Sequence, residues 1–205
     1  MRPYLEDLIA RLADQTPTPS SSSSVSWLAH REAEALTDGT MVGELAASVQ
    51  AERSKHRRMS CYFVIGKIGH NLRDPEAAVV LLSLLESERD KYNLATLLEC
   101  VGEIPKAAEC DLSRVYGLLQ DKRWLVRHAA IRALNNSTSP EAEQRLLHHL
   151  AETTDPDDQI YCHAVLNRIG TRRAIGPIEL NLKSRKRDVK LSAQSALAAI
   201  RARHA

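Results

Sequence analysis

The sequence predicts an all-α chain, an α-α superhelix of about five helical hairpins with an N-terminal helical extension. Three observations predict it: the composition, the helical period of the apolar residues, and the recurrence of that period at nearly constant intervals. Aromatic residues make up only 4% of the 205 positions, with a single Phe, and Gly and Pro number eight each. Leu, Ala, Glu and Arg dominate instead, the residues that helices use. A β-sandwich of this length needs more strand formers and more turn glycines. At 43% apolar content the chain is not disordered and can bury a sizeable interior.

Taken in order, Arg2 to Asp14 places Leu5, Leu8, Ile9 and Leu12 at helical spacing, with Pro3 suited to a first turn. Residues 15–24, rich in Pro and Ser, read as a loop or linker because a serine run cannot bury a core. A second helix is predicted from Trp27 to Leu36, stopped by the Asp38-Gly39 turn signal. These pieces form an N-terminal region, 1–40, read as a helical cap. Residues 42–205 form the repeat array, for which Gly43 to Glu52 supplies the first partner helix.

Within the array five segments repeat a pattern: a small or aliphatic residue, another three positions on, then an aliphatic anchor. The anchors are Ile65, Leu98, Leu134, Leu166 and Leu197, separated by 33, 36, 32 and 31 positions. A further aliphatic residue usually follows, as in Ile68, Val101, Ile169 and Ile200, so the offsets trace one face of a helix. Partner helices are predicted at Pro75–Leu85, Ala107–Leu119, Pro140–Leu150 and Ala174–Leu182. Asp74-Pro75 and Ser139-Pro140 are entry signals, a capping residue followed by proline at the first helical position. Gly69, Gly102 and Gly170 stand where helices should end, and Asn135-Asn136 takes that role in the third repeat.

The run Val126-Arg127-His-Ala-Ala130-Ile-Arg-Ala133-Leu134 resembles the second helix of a HEAT repeat, and Val189 to Leu197 repeats it weakly. Val165 to Ile175 looks like the short HEAT-like units of bacterial type. The resemblance covers about residues 42–205 and implies a scaffold that holds a protein, or in a minority of cases a nucleic acid.

Apolar length nowhere reaches a membrane span, and the N-terminus lacks the apolar core of a secretory signal. Cys61, Cys100, Cys110 and Cys162 form no CxxC pair, which fits reduced thiols in a cytoplasmic protein. Catalytic signatures fail as well: there is no nucleophile elbow, phosphate loop, dinucleotide fingerprint or H-E-x-x-H. His148-His149 and Cys162-His163 are adjacent pairs that diverge on a helix, so no metal or cofactor is expected. DNA glycosylases among HEAT-like proteins need an aromatic cleft with a carboxylate. Trp27 and Trp124 make no Trp pair beside an Asp, so that activity is not expected and the protein reads as non-enzymatic.

Binding residues follow from the helix faces left over. Arg58, Lys91, Arg127, Gln159 and Lys190 recur at one position, and Tyr62, Ala95, Ile131, His163 and Gln194 four residues later. Stacked repeats would align them into an inner stripe, basic and polar, for an acidic protein partner, with Tyr62, Tyr92, Trp124 and Tyr161 as anchors. In the competing reading, the recurrent cation pairs with acidic turns (Asp90, Asp121, Asp155) and only holds the register. A sharper form of the functional reading is an adaptor or an immunity-type inhibitor. The alternative partner is nucleic acid. Residues 171–205 carry nine basic and two acidic residues, net +7 against −5 for the remainder, and Arg185, Lys186 and Arg187 lead that cluster.

Overall fold

The computed structural model describes residues 1–20, 22 and 24–205. Twelve α-helices occur among them: α1 (Pro3–Leu12), α2 (Val25–Glu34), α3 (Thr40–Ala51), α4 (Lys55–Leu72), α5 (Pro75–Leu85), α6 (Lys91–Glu103), α7 (Ser113–Leu118), α8 (Trp124–Ala133), α9 (Pro140–Glu152), α10 (Pro156–Ile169), α11 (Ile175–Leu180) and α12 (Arg187–Arg203). Short 3₁₀ turns at Arg172–Ala174 and Asn181–Lys183 flank α11. No strand is formed among the described residues, and no helix there is long and apolar enough to cross a membrane. The reading of 15–24 as a loop falls in part on Ser21 and Ser23, which lie outside the described residues; residues 14–18 carry no regular structure.

Two compact units divide the chain, Met1–Pro105 and Lys106–Ala205. In the first, α1 packs on α2 and α4, α3 on α4 and α5, and α4 on α5 and α6. Leu5, Leu8, Ile9 and Leu12 of α1 are all buried, as their spacing predicts. Arg2 ties the start of α1 to α3 through Glu44, with Nε donating to Oε1 at 2.8 Å. In the second unit α8 packs on α7 and α10, α10 on α9 and α12, and α11 on α12.

The repeat anchors behave as the period requires. Ile65, Leu98, Leu134, Leu166 and Leu197 are buried, and so are the small residues ahead of them, Cys61, Leu94, Ala130, Cys162 and Ala193. Helix starts follow their signals: Ser24, Asp74, Asp90 and Asp155 each accept a backbone N–H of the first turn, satisfying donors that have no intrahelical partner.

Two local readings change. The predicted helix from Ala107 shrinks to α7, because the Lys106 backbone is held in an isolated bridge with Ser137. Its N–H donates to the Asn136 carbonyl at 3.0 Å, and the Thr138 N–H donates to the Lys106 carbonyl at 3.3 Å. Asp111 then starts the helix by accepting the Ser113 N–H. Among the described residues no glycine takes the left-handed conformation, although Gly170 does end α10 as its C-cap. Gly69 lies inside α4, and Arg73 takes the left-handed conformation (φ 52°) that ends that helix. Gly69 permits close packing instead: a Cβ there would sit 2.6 Å from the Ala77 Cβ and 2.7 Å from the Ile104 Cδ1. In the third repeat Asn136 does adopt the left-handed conformation expected of it, at φ 57°.

Candidate functional site: an aromatic and acidic cleft in the second unit

The recurrent cation at the start of each second helix is committed inside the fold in two repeats. Arg58 donates from Nε and Nη2 to the two oxygens of Glu88, at 3.0 and 3.3 Å, and from Nη1 to the Glu52 carbonyl at 3.2 Å. Arg127 repeats the device, with Nη1 on the Asp121 carbonyl at 3.0 Å, Nε on Asp158 and Nη2 on Asp155, both at 2.7 Å. Gln159 keeps the neutral half of it, donating to the Thr153 carbonyl at 3.3 Å. In all three the acceptor carbonyl lies six residues back, so the side chain ties the incoming turn to its own helix.

Glu88 and Asp158 are the buried nodes of these pairs. Glu88 also accepts from Tyr62 Oη at 2.9 Å, from Asn93 Nδ2 at 3.0 Å, and from the N–H groups of Arg89 and Asp90. Burial pushes its carboxyl up, but these donors, Arg58 first, overcome the effect and hold it at about 2. Asp158 accepts from Arg127, His149 and Thr153 and is likewise held at about 2 against the cost of burial. Its other oxygen faces His128 Nε2 at 3.0 Å.

Tyr62 is therefore a core residue, 1% exposed, and not a surface anchor. His163 is fully buried between Ser192 Oγ and Asn181 Nδ2, both 2.9 Å away, and burial lowers it to about 4. Ala95 and Ile131 at the same repeat position are buried too. The physical reason is that successive second helices pack on each other, α4 on α6, α8 on α10 and α10 on α12, and this widens their apolar face beyond the offsets used to place the stripe. Lys91 and Tyr92 remain exposed on α6, with the Lys91 Nζ 4.9 Å from the Tyr92 ring centroid. Lys190 is exposed on α12.

An exposed aromatic group stands at the start of α8. Trp124, its first residue, is 63% exposed. One turn later the His128 ring lies 5.5 Å from it, and the Tyr161 ring of α10 lies 4.7 Å from His128. These three rings, with Asp155 and Asp157 of the α10 first turn, line a cleft of about 500 Å³. From sequence, Trp124 and Tyr161 are candidate anchors, whereas Asp155-Pro-Asp157-Asp158 is acidic enough for a cation but reads better as a turn and helix cap; Asp155 is indeed the N-cap of α10. Trp124 and Tyr161, from two helices, each pack on the His128 ring between them. One atom each of His128, Asp155 and Asp158 falls within a 4.8 Å cluster, a spacing at which a metal could sit. Arg127 donates to one oxygen of each carboxylate at 2.7 Å, so the cluster already holds one cation.

Residues 78–164 match a family model described as HEAT repeats. Over that stretch the chain resembles HEAT repeats. The match runs from α5 to α10 and includes the cleft residues. Among solved structures the chain is similar to a designed armadillo repeat protein, at 17% identity and TM-score 0.56, covering 96% of this chain and 99% of that one. Two engineered proteins are also similar. One has 20% identity and TM-score 0.55, covering 97% of each chain; the other has 22% identity and TM-score 0.53, covering 96% of this chain and 57% of that one. These likenesses show an all-α superhelical repeat fold. No curated protein matches the sequence.

The basic cluster falls just before the last HEAT-like second helix. Arg185, Lys186 and Arg187 are exposed at the start of α12, whose N-cap makes no side-chain hydrogen bond. None of the three forms an ion pair among the described residues.

Proposed function

We propose that the protein is a non-enzymatic scaffold or adaptor that holds a protein partner on the aromatic and acidic cleft of its second unit. The HEAT repeats fit a protein-binding role in general. The observation that carries this reading is Trp124, a large side chain left 63% exposed and lining the same cleft as Tyr161, while Val126, Ala129, Ala130, Ile131 and Ala133 of its helix are buried. Exposed aromatic residues flanked by charge concentrate binding energy at interfaces. Residues 1–40 complete the core of the first unit, a capping role supported by the burial of α1. An immunity-type inhibitor is one form such an adaptor can take. Free thiols at Cys61, Cys100, Cys110 and Cys162 suit a cytoplasmic setting. The test is affinity capture from nuclease-treated native lysate with the wild type and Trp124→Ala. The proposal expects a stoichiometric protein with the wild type and its loss with the variant; equal recovery by both would refute it.

A second reading rests on the basic cluster. Arg185, Lys186 and Arg187 lack internal carboxylate partners, whereas Arg58 and Arg127 are taken up by theirs. They are free to meet phosphates by releasing counterions. Salt-sensitive binding to RNA or DNA that collapses in the Lys186→Ala/Arg187→Ala variant would support it, and unchanged binding in that variant would exclude these residues.

A further inference from the structure

Resting on the scaffold reading, the geometry points to the chemistry of the partner: the cleft takes a cationic side chain, the guanidinium or ammonium of a basic segment of the partner protein. This reverses the acidic partner suggested by the recurrent Arg and Lys positions, since Arg58 and Arg127 are engaged inside the fold.

Charge is the first argument. The α10 first turn brings Asp155, Asp157 and Asp158 together, and one cation, Arg127, pairs with two of them. The positive end of α10 adds only about half a charge, so the mouth of the cleft stays negative. Asp157 is exposed and forms no ion pair among the described residues. A carboxylate or phosphate entering here would meet repulsion from Asp155 and Asp157 together.

The aromatic walls are the second argument. Ring faces attract cations, and the chain uses this repeatedly: Arg31 over Trp27, Lys67 over Phe63, Lys91 over Tyr92 and Arg145 over Tyr116, at 4.9 to 5.5 Å from the centroids. Trp124 and Tyr161 have no such cation among the described residues, although both line a cleft of about 500 Å³ with two carboxylates. Each packs on His128 and also lines the cleft, whose volume is typical of small-ligand sites.

The experiment uses the full chain with Trp27→Phe, which leaves Trp124 as its only tryptophan reporter. The probe is the blocked tripeptide Gly-Arg-Gly, compared with the same peptide carrying neutral citrulline and with Gly-Glu-Gly. The inference expects saturable quenching or shift of Trp124 emission by the Arg peptide, and binding of the citrulline peptide about tenfold weaker. Asp157→Asn, an exposed substitution that leaves the fold intact, should weaken the Arg peptide several-fold. Equal response to Arg and citrulline, or no response to Arg, overturns the inference. Trp124→Ala separates the two levels of the argument. Loss of partner capture in that variant, with no Arg-peptide binding to the parent, keeps the scaffold reading and removes the cation. Arg-peptide binding with undiminished capture by Trp124→Ala does the reverse.

Discussion

Replacing Glu88 by Gln isolates the charge at the buried node of the first unit. The side chain keeps its shape, but three protein donors converge on each carboxylate oxygen: Arg58 Nε, Tyr62 Oη and Asn93 Nδ2 on one, Arg58 Nη2 and the N–H groups of Arg89 and Asp90 on the other. An amide must turn its own N–H₂ toward one of these sets, leaving donors face to face and the Arg58 charge half-buried without its partner. Breaking a buried pair in this way costs about 3–5 kcal/mol. An independent route gives a similar size: the fold lowers Glu88 from 4.5 to about 2, which corresponds to about 3 kcal/mol. Because the folded value lies below the unfolded one, this stabilisation is complete above pH 4.5 and is lost as pH falls toward 2. Chemical denaturation of Glu88→Gln at pH 7 should therefore show a loss of about 3 kcal/mol, and the gap from wild type should narrow through that acid window. Glu86→Gln, an exposed neighbour, should stay within about 0.5 kcal/mol. A Glu88→Gln loss below about 1 kcal/mol at pH 7 would refute the view that the Arg58 pair holds these repeats together.

Further outcomes follow from other sites. Arg127→Met leaves Asp155 and Asp158 without their shared cation, and urea denaturation should show the second unit weakened by about 3 kcal/mol. His163 is held at about 4 below an unfolded 6.5, so its neutral form stabilises the fold above pH 6.5 and the contribution, up to about 3 kcal/mol, is lost between 6.5 and 4. Denaturation followed across that range should show the loss in wild type and its absence in His163→Gln. Gly69→Ala should destabilise by about 1–3 kcal/mol despite better helix propensity, because its Cβ meets Ala77 and Ile104. Gly43→Ala, with nothing within 4 Å, should stabilise by about 0.5–1 kcal/mol, both variants being read by urea denaturation.

The helices were legible because burial and period are local: Ile65, Leu98, Leu134, Leu166 and Leu197 need only their own helix to identify them, and all are buried. The start of α7 was not, since Lys106 is drawn from the predicted helix by a backbone pairing some thirty residues away. The candidate cleft was legible by half. Trp124 and Tyr161 stand out in an aromatic-poor chain, but Tyr62 and His163 looked equally available until α4 met α6 and α10 met α12. The competing register reading had the right physics and some of the wrong acids. Asp155 pairs with Arg127 as expected, whereas Arg58 uses Glu88, and Asp90 and Asp121 serve the local turns. Which carboxylate an arginine reaches is decided by loop geometry that helical periodicity does not encode.

Hydrogen–deuterium exchange on the protein bound to its captured partner tests the central claim most directly. The account predicts protection on binding at 124–128 and 155–161, the two first turns that line the cleft, with 183–190 unchanged. Protection confined to 183–190, or none within 124–161, would contradict it and move the binding surface away from Trp124.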